Sequence, residues 1–270
     1  MPDAAPLMPD TLQWLPASGR PEQLMLLLHG WGASAADMAP LALALQAAFP
    51  QAALLAPQGF ESVDVGLAGR GPDAGGLAGR GPDAGGLAGR GPDAGGLAGR
   101  QWFSLDGVTE DTRPARVAAV LPRLADWVRA AQQASGVGPA ATALVGFSQG
   151  AILALELAQL HDGLAGRVLS FSGRYATLPG VPLAHTTLHF FHGATDTVIP
   201  AAQSRLAMER LAALQGDATI DIASGVGHAL PPVLVQCAVQ RLQTHIPHRT
   251  WMAAMGAVPG LAGRQPAEDD

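Results

Sequence analysis

The chain has 270 residues, 48% of them hydrophobic and 14% charged, with a formal net charge of −6 at pH 7. That is enough apolar material for one sizeable core, and a net negative charge with no basic stretch argues against a nucleic-acid partner. The single cysteine, Cys237, rules out an intrachain disulfide and a cysteine-based metal site.

Residues 1–20 read as an N-terminal extension. They lack the basic and unbroken apolar regions of a secretory signal, and no stretch of the chain reaches the ~18 apolar residues of a membrane span. A soluble, cytoplasmic protein is the expectation. The first strand-like run, 23–28, leads into His29-Gly30-Trp31-Gly32, where the glycines let the chain turn sharply. A helical period follows over 35–48, then a second apolar run at 52–56.

The pattern then breaks. From Gly66 the decapeptide Gly-Leu-Ala-Gly-Arg-Gly-Pro-Asp-Ala-Gly runs three times to Gly95, and 96–100 begins a fourth copy. Each unit is neutral and carries one leucine, so it cannot bury a core of its own. Its glycine spacing is not that of collagen. Its period of ten lacks the large apolar residue of a calcium-binding nonapeptide, and Pro82 interrupts what would otherwise mimic a dinucleotide fingerprint. Residues 66–100 are expected to be a flexible surface insertion in a domain spanning 21–249.

Beyond it, helical periods at 113–134, 150–160, 201–214 and 231–245 alternate with strand-like runs at 142–147, 168–171, 187–191 and 219–222. Such alternation predicts an α/β fold, a mostly parallel sheet with helices on both faces. Ligands of that class bind at the carboxyl ends of the strands. Residues 250–270 are expected to be a disordered tail.

Gly146-Phe147-Ser148-Gln149-Gly150 follows one of these strands directly, and Gly-x-Ser-x-Gly there is the pattern of a nucleophile elbow. Asp196, in His192-Gly193-Ala194-Thr195-Asp196, and His228, after Gly227, come later, in the order serine, acid, base. A serine hydroxyl needs a base to attack an acyl carbon. Histidine suits that work, with a reference pKa of ~6.5, and His228 is the candidate. Asp196 would orient its ring. The amide of the residue after the serine, Gln149, and one from the loop after the first strand, Trp31, would stabilise the oxyanion.

The other candidates have plainer roles. Ser34, Ser104, Ser170, Ser172 and Ser204 read as polar turn residues. His29 and His192 read as structural hydrogen-bonders and His189 as a satisfied core histidine, while His161, His185, His245 and His248 lack a catalytic context. Asp221, the alternative acid, reads as the solvent side of a strand. No metal-type spacing such as His-Glu-x-x-His occurs, so neither metal nor cofactor is expected.

Together, 28–32, 146–150, His192-Gly193-x-x-Asp196-x-x-x-Pro200 and Gly227-His228 resemble the phospholipase/carboxylesterase family of α/β-hydrolases, which includes bacterial carboxylesterases and acyl-protein thioesterases. The likeness spans about 24–246, and 100–104 with 107–111 resemble a bacterial esterase branch. It implies the α/β-hydrolase fold, Trp31 and Gln149 as oxyanion donors, and Trp102 and Phe103 near the acyl pocket. It also implies a small-molecule acyl ester of small to medium size as substrate, with lysophospholipids or protein thioesters as alternatives. The repeat array departs from the family. A rival of another class is an inert hydrolase-like scaffold that recruits a partner through the repeat. A dienelactone-type hydrolase would prefer cysteine where this chain has Ser148.

Overall fold

A computed structural model of the chain describes residues 10–63 and 99–256. Seven strands form one sheet in the order β1, β3, β2, β6, β7, β8, β9. In chain order they are β1 (Leu12–Trp14), β2 (Gln23–Leu28), β3 (Ala52–Ala56), β6 (Thr142–Phe147), β7 (Arg167–Phe171), β8 (Thr187–Gly193) and β9 (Ala218–Ala223). β1 pairs antiparallel with β3, and every other pairing in this sheet is parallel. A separate two-stranded hairpin joins β4 (Glu61–Ser62) to β5 (Arg100–Gln101).

The helices are α1 (Ala39–Ala48), α2 (Arg113–Ser135), α3 (Gln149–Leu160), α4 (Ala202–Ala213), α5 (Pro232–Thr244) and α6 (His248–Gly256). Alternate residues of β2 sort into two cores. Leu24, Leu26 and Leu28 pack with residues of α2, α3 and α4 on one face, while Met25 and Leu27 pack with residues of α1 and α5 on the other. Both faces of the central strands are therefore covered, which is why those strands read as continuous apolar runs rather than alternating ones. The chain moves from β2 to β3 on one side, then returns to β6 on the other. That reversal opens a crevice at the carboxyl ends of β2 and β6.

Four details differ from the sequence reading. The 1–20 extension contains β1, whose three residues carry too little pattern to be read without their partner β3. The helix expected over 35–48 divides into a 3-10 turn, Ala35–Met38, and α1, with proline in the first turn of α1. The hairpin β4–β5 was not anticipated, and it brackets most of the repeat, of which 66–98 lies outside the described residues. The tail does not begin at 250, because α6 runs to Gly256. It is tied back where the His248 amide donates to Asp217 Oδ2 at 3.2 Å and Arg249 donates to Thr187 Oγ1 at 3.1 Å. Residues 257–270 lie outside the described residues. No helix among the described residues is long and apolar enough to cross a membrane.

Candidate active site

Ser148 sits between β6 and α3 with φ 53° and ψ −116°. An L-residue pays for this conformation by of order 1–3 kcal/mol, so the surroundings must hold it. They do so through close backbone approach. A Cβ on Gly146 would lie 2.4 Å from the Gly150 carbonyl oxygen, and one on Gly150 would lie 2.1 Å from that of Leu28. The two glycines of the pentapeptide are thus required by the passage of α3 against β6 and β2. The Ser148 amide donates to the Phe171 carbonyl at 2.9 Å, which fixes the elbow to β7.

The structure brings the three residues from separate strand ends together. His228 Nδ1 donates to Asp196 Oδ2 at 2.8 Å, leaving Nε2 to accept from Ser148 Oγ at 2.9 Å. The second oxygen of Asp196 accepts the amides of Val198 at 2.9 Å and Ile199 at 3.0 Å. Burial alone would raise this carboxyl, but hydrogen bonds from His192 and His228 and from the Ile199 amide outweigh it and hold it below the usual carboxylate range. His192 is fully buried. Its Nε2 donates to the Ile199 carbonyl at 2.7 Å and lies 3.3 Å from Asp196 Oδ2, while Nδ1 accepts from Ser204 at 2.8 Å. The spacing of His192 and Asp196, four residues apart in a turn, was the signal for this support.

Trp31 lies on the loop after β2 and Gln149 opens α3. Among the described residues neither backbone amide has a hydrogen-bond acceptor. Gly30 lies directly against the serine, since a Cβ there would stand 3.3 Å from Ser148 Cβ. The Trp31 amide thus follows a glycine packed against Ser148, and the Gln149 amide follows Ser148 itself at the N-terminus of α3, an end that favours negative charge.

Trp102 and Phe103 are placed differently from expectation. At 0% and 3% exposure their rings belong to the core and offer almost no surface to a ligand arriving from solvent. The Trp102 indole donates to the His29 carbonyl at 2.8 Å. Their backbones instead clamp the Gln149 carboxamide, which accepts from the Trp102 amide at 2.9 Å and donates to the Phe103 carbonyl at 2.8 Å. A loop-mediated partnership of this kind leaves no spacing signature in the sequence.

Of the remaining candidates, His29 is buried and neutral. Its Nδ1 donates to Gly30 at 2.7 Å and its Nε2 accepts from the Gly59 amide at 2.8 Å, and burial lowers its pKa to about 4. His189 is only half satisfied: Nδ1 meets Thr219 at 2.8 Å, and Nε2 has no hydrogen-bond partner among the described residues. Asp221 is held by Arg241 at 2.9 and 3.0 Å on β9. Ser34 and Ser104 do bond to local turns, whereas Ser170 lies within β7, Ser204 within α4, and Ser172 is fully buried at a φ of 47°. No group of three His, Cys, Asp or Glu among the described residues is arranged to hold a metal ion.

This architecture agrees with what the chain is similar to. A phospholipase/carboxylesterase family model matches residues 92–246, more than half of the chain. The chain belongs to the phospholipase/carboxylesterase family. A relative of this phospholipase/carboxylesterase chain, Esterase YpfH of Escherichia coli (strain K12), is 46% identical over 171 residues, which cover 63% of this chain and 71% of that protein. Among solved structures, esterase PE8 superposes with a TM-score of 0.66 at 24% identity, covering 87% of this chain and 98% of its own. The Bacillus cereus carboxylesterase gives 0.63 at 16% identity, with 86% and 92% covered. The carboxylesterase from Mesorhizobium loti gives 0.62 at 20% identity, with 90% and 100% covered. At these identities the superpositions establish the α/β-hydrolase fold.

Proposed function

We propose that the chain is a serine carboxylesterase that hydrolyses small to medium acyl esters through an acyl-enzyme intermediate. The unbroken contact from Ser148 Oγ through His228 to Asp196, at 2.9 and 2.8 Å on a strained elbow, carries this reading. Ser148 Oγ attacks the acyl carbon as His228 Nε2 takes its proton. The carbonyl oxygen becomes an oxyanion between the amides of Trp31 and Gln149. As it collapses, His228 returns the proton to the leaving alkoxide, and the acyl group remains on Ser148. Water then attacks the acyl carbon with His228 again as base, releasing the carboxylic acid. Asp196 keeps Nδ1 protonated and stabilises the imidazolium. The chemistry needs no cofactor, and the family membership and the name of the Escherichia coli relative support an ester bond as its target.

The test is a panel of acyl esters of graded chain length, with a lysophospholipid and a thioester included, run beside labelling by a fluorophosphonate probe. Ser148→Ala is expected to remove both turnover and labelling while leaving the fold intact. An unlabelled wild-type protein with no turnover would favour the inert scaffold. A Ser148→Ala protein that kept most of its turnover would move the nucleophile elsewhere.

A further inference from the structure

An oxyanion hole works only if its two N–H groups converge on one point, yet here they ride on different elements, the loop after β2 and the start of α3. We propose that the segment Gly99–Phe103 is the strut that fixes the distance between them, with Gln101 and the side chain of Gln149 as positioning residues. The proposal rests on the serine-esterase reading above.

One short peptide touches both sides. Towards the β2 loop, the Gly32 amide donates to the Arg100 carbonyl at 2.9 Å and the Arg100 amide donates to the Ala33 carbonyl at 2.8 Å. These bonds flank Trp31 on its C-terminal side. The Trp31 indole then donates to Gln101 Oε1 at 2.9 Å. Towards α3, the next two residues hold the Gln149 carboxamide at both ends, at 2.9 and 2.8 Å. The packing tolerates no slack. A Cβ on Gly99 would lie 2.3 Å from the Gly32 carbonyl oxygen, and one on Gly59 would lie 2.6 Å from that of Gln101.

The strut is braced from behind as well. Arg100 Nε and Nη2 donate to the Gly59 carbonyl at 3.1 and 2.8 Å, and the Gly59 amide is held by His29. Trp102, Phe103 and Gln149 are 0%, 3% and 3% exposed, so water cannot readily replace the two carboxamide bonds, whereas the Trp31 indole and Arg100 bonds lie at a half-buried edge. A displaced donor then stays displaced. Because the ground-state ester needs neither amide strongly, loosening the strut should act on the transition state.

Gln149→Met keeps the backbone amide and side-chain bulk but cuts both carboxamide bonds, and Gln101→Ala frees the Trp31 indole. Misplacing a donor should cost less than deleting one, so kcat is expected to fall by roughly 10- to 100-fold in Gln149→Met and by a smaller factor in Gln101→Ala. KM for a short-chain ester should barely change. Affinity for a short-chain trifluoromethyl ketone, whose adduct places an oxyanion in the hole, should weaken by the same factor as kcat. Rates are to be expressed per fluorophosphonate-titrated site, so that loss of folded protein does not imitate the effect. Normal kcat per site and normal ketone affinity in both variants would overturn the strut while leaving the esterase reading intact. A wild-type protein that neither labels nor turns over would remove the reading itself, and the strut with it.

Discussion

At the scale of single residues, Asp196 shows how tightly the chemistry is specified by local bonding. One oxygen is committed to the amides of Val198 and Ile199, so it must be an acceptor, and the other receives His228 Nδ1–H. In Asp196→Asn the amide oxygen would take the position facing the two backbone donors, turning its NH2 towards His228. Nδ1 would then have to accept, the proton would move to Nε2, and Ser148 would face a donor instead of a base. Turnover should fall by up to ~10⁴-fold, the scale of the same change in a serine protease, with the fold intact. Steady-state kinetics check this, and near-normal kcat/KM would reassign the acid. That Ser148, Asp196 and His228 would meet was legible because elbow glycines and chain order leave a pattern. The bracing by Ser204 and the Gln149 carboxamide was not, since it depends on which distant groups the fold brings to face those side chains.

At the scale of elements, the long strands and helices were readable to within a residue or two, because each buries a periodic or continuous apolar run, except that the first four residues expected of α1 form a 3-10 turn. β1, β4, β5 and α6 were not. Two or three residues hold no period, and α6 is fixed by contacts to Asp217 and Thr187 rather than by an apolar face, with Trp251, Met252 and Met255 exposed. The hairpin β4–β5 changes what the repeat insertion means. Its closing residues, Arg100 and Gln101, pair with Ser62 and Glu61 and with the Trp31 loop. Deleting 66–95 retains 96–101 and so keeps the hairpin. Loop closure costs only about 0.6 kcal/mol per doubling of length, so the deletion should leave stability unchanged or raise it by about 1 kcal/mol. Short-chain ester hydrolysis should persist. Denaturant unfolding and an ester assay check both, and a folded deletion variant without short-chain activity would show that the repeats help to build the site.

At the scale of the whole molecule, the buried histidines make stability depend on pH. Burial lowers His29 to about 4, and burial with the charge of Arg167 lowers His189 to about 3, so both are neutral in the fold near neutrality. In the unfolded chain they titrate near ~6.5. Between those values the unfolded state binds the extra protons, and stability is lost as pH falls from ~6.5 towards 4. Glu156 opposes this trend, since burial raises its carboxyl. His29 alone should contribute roughly 3 kcal/mol by the lower limit. Urea unfolding at pH 7.5 and 4.5 should show the fall, and His189→Leu should fall less. A flat profile would mean that His29 takes up its proton without unfolding.

The sequence by itself determined the α/β alternation, the elbow and the chain order of Ser148, Asp196 and His228. Each is written in neighbours along the chain: apolar runs, glycines beside Ser148, and turns that must follow strands. What only the tertiary structure decided is how groups far apart in sequence meet. It withdrew the Trp102 and Phe103 rings into the core and turned their backbones into a clamp on Gln149. It also joined the end of the repeat to the loop that carries Trp31. A buried polar group must find a partner wherever the fold supplies one, and that partner is set by the packing of strands and loops, not by its distance along the chain.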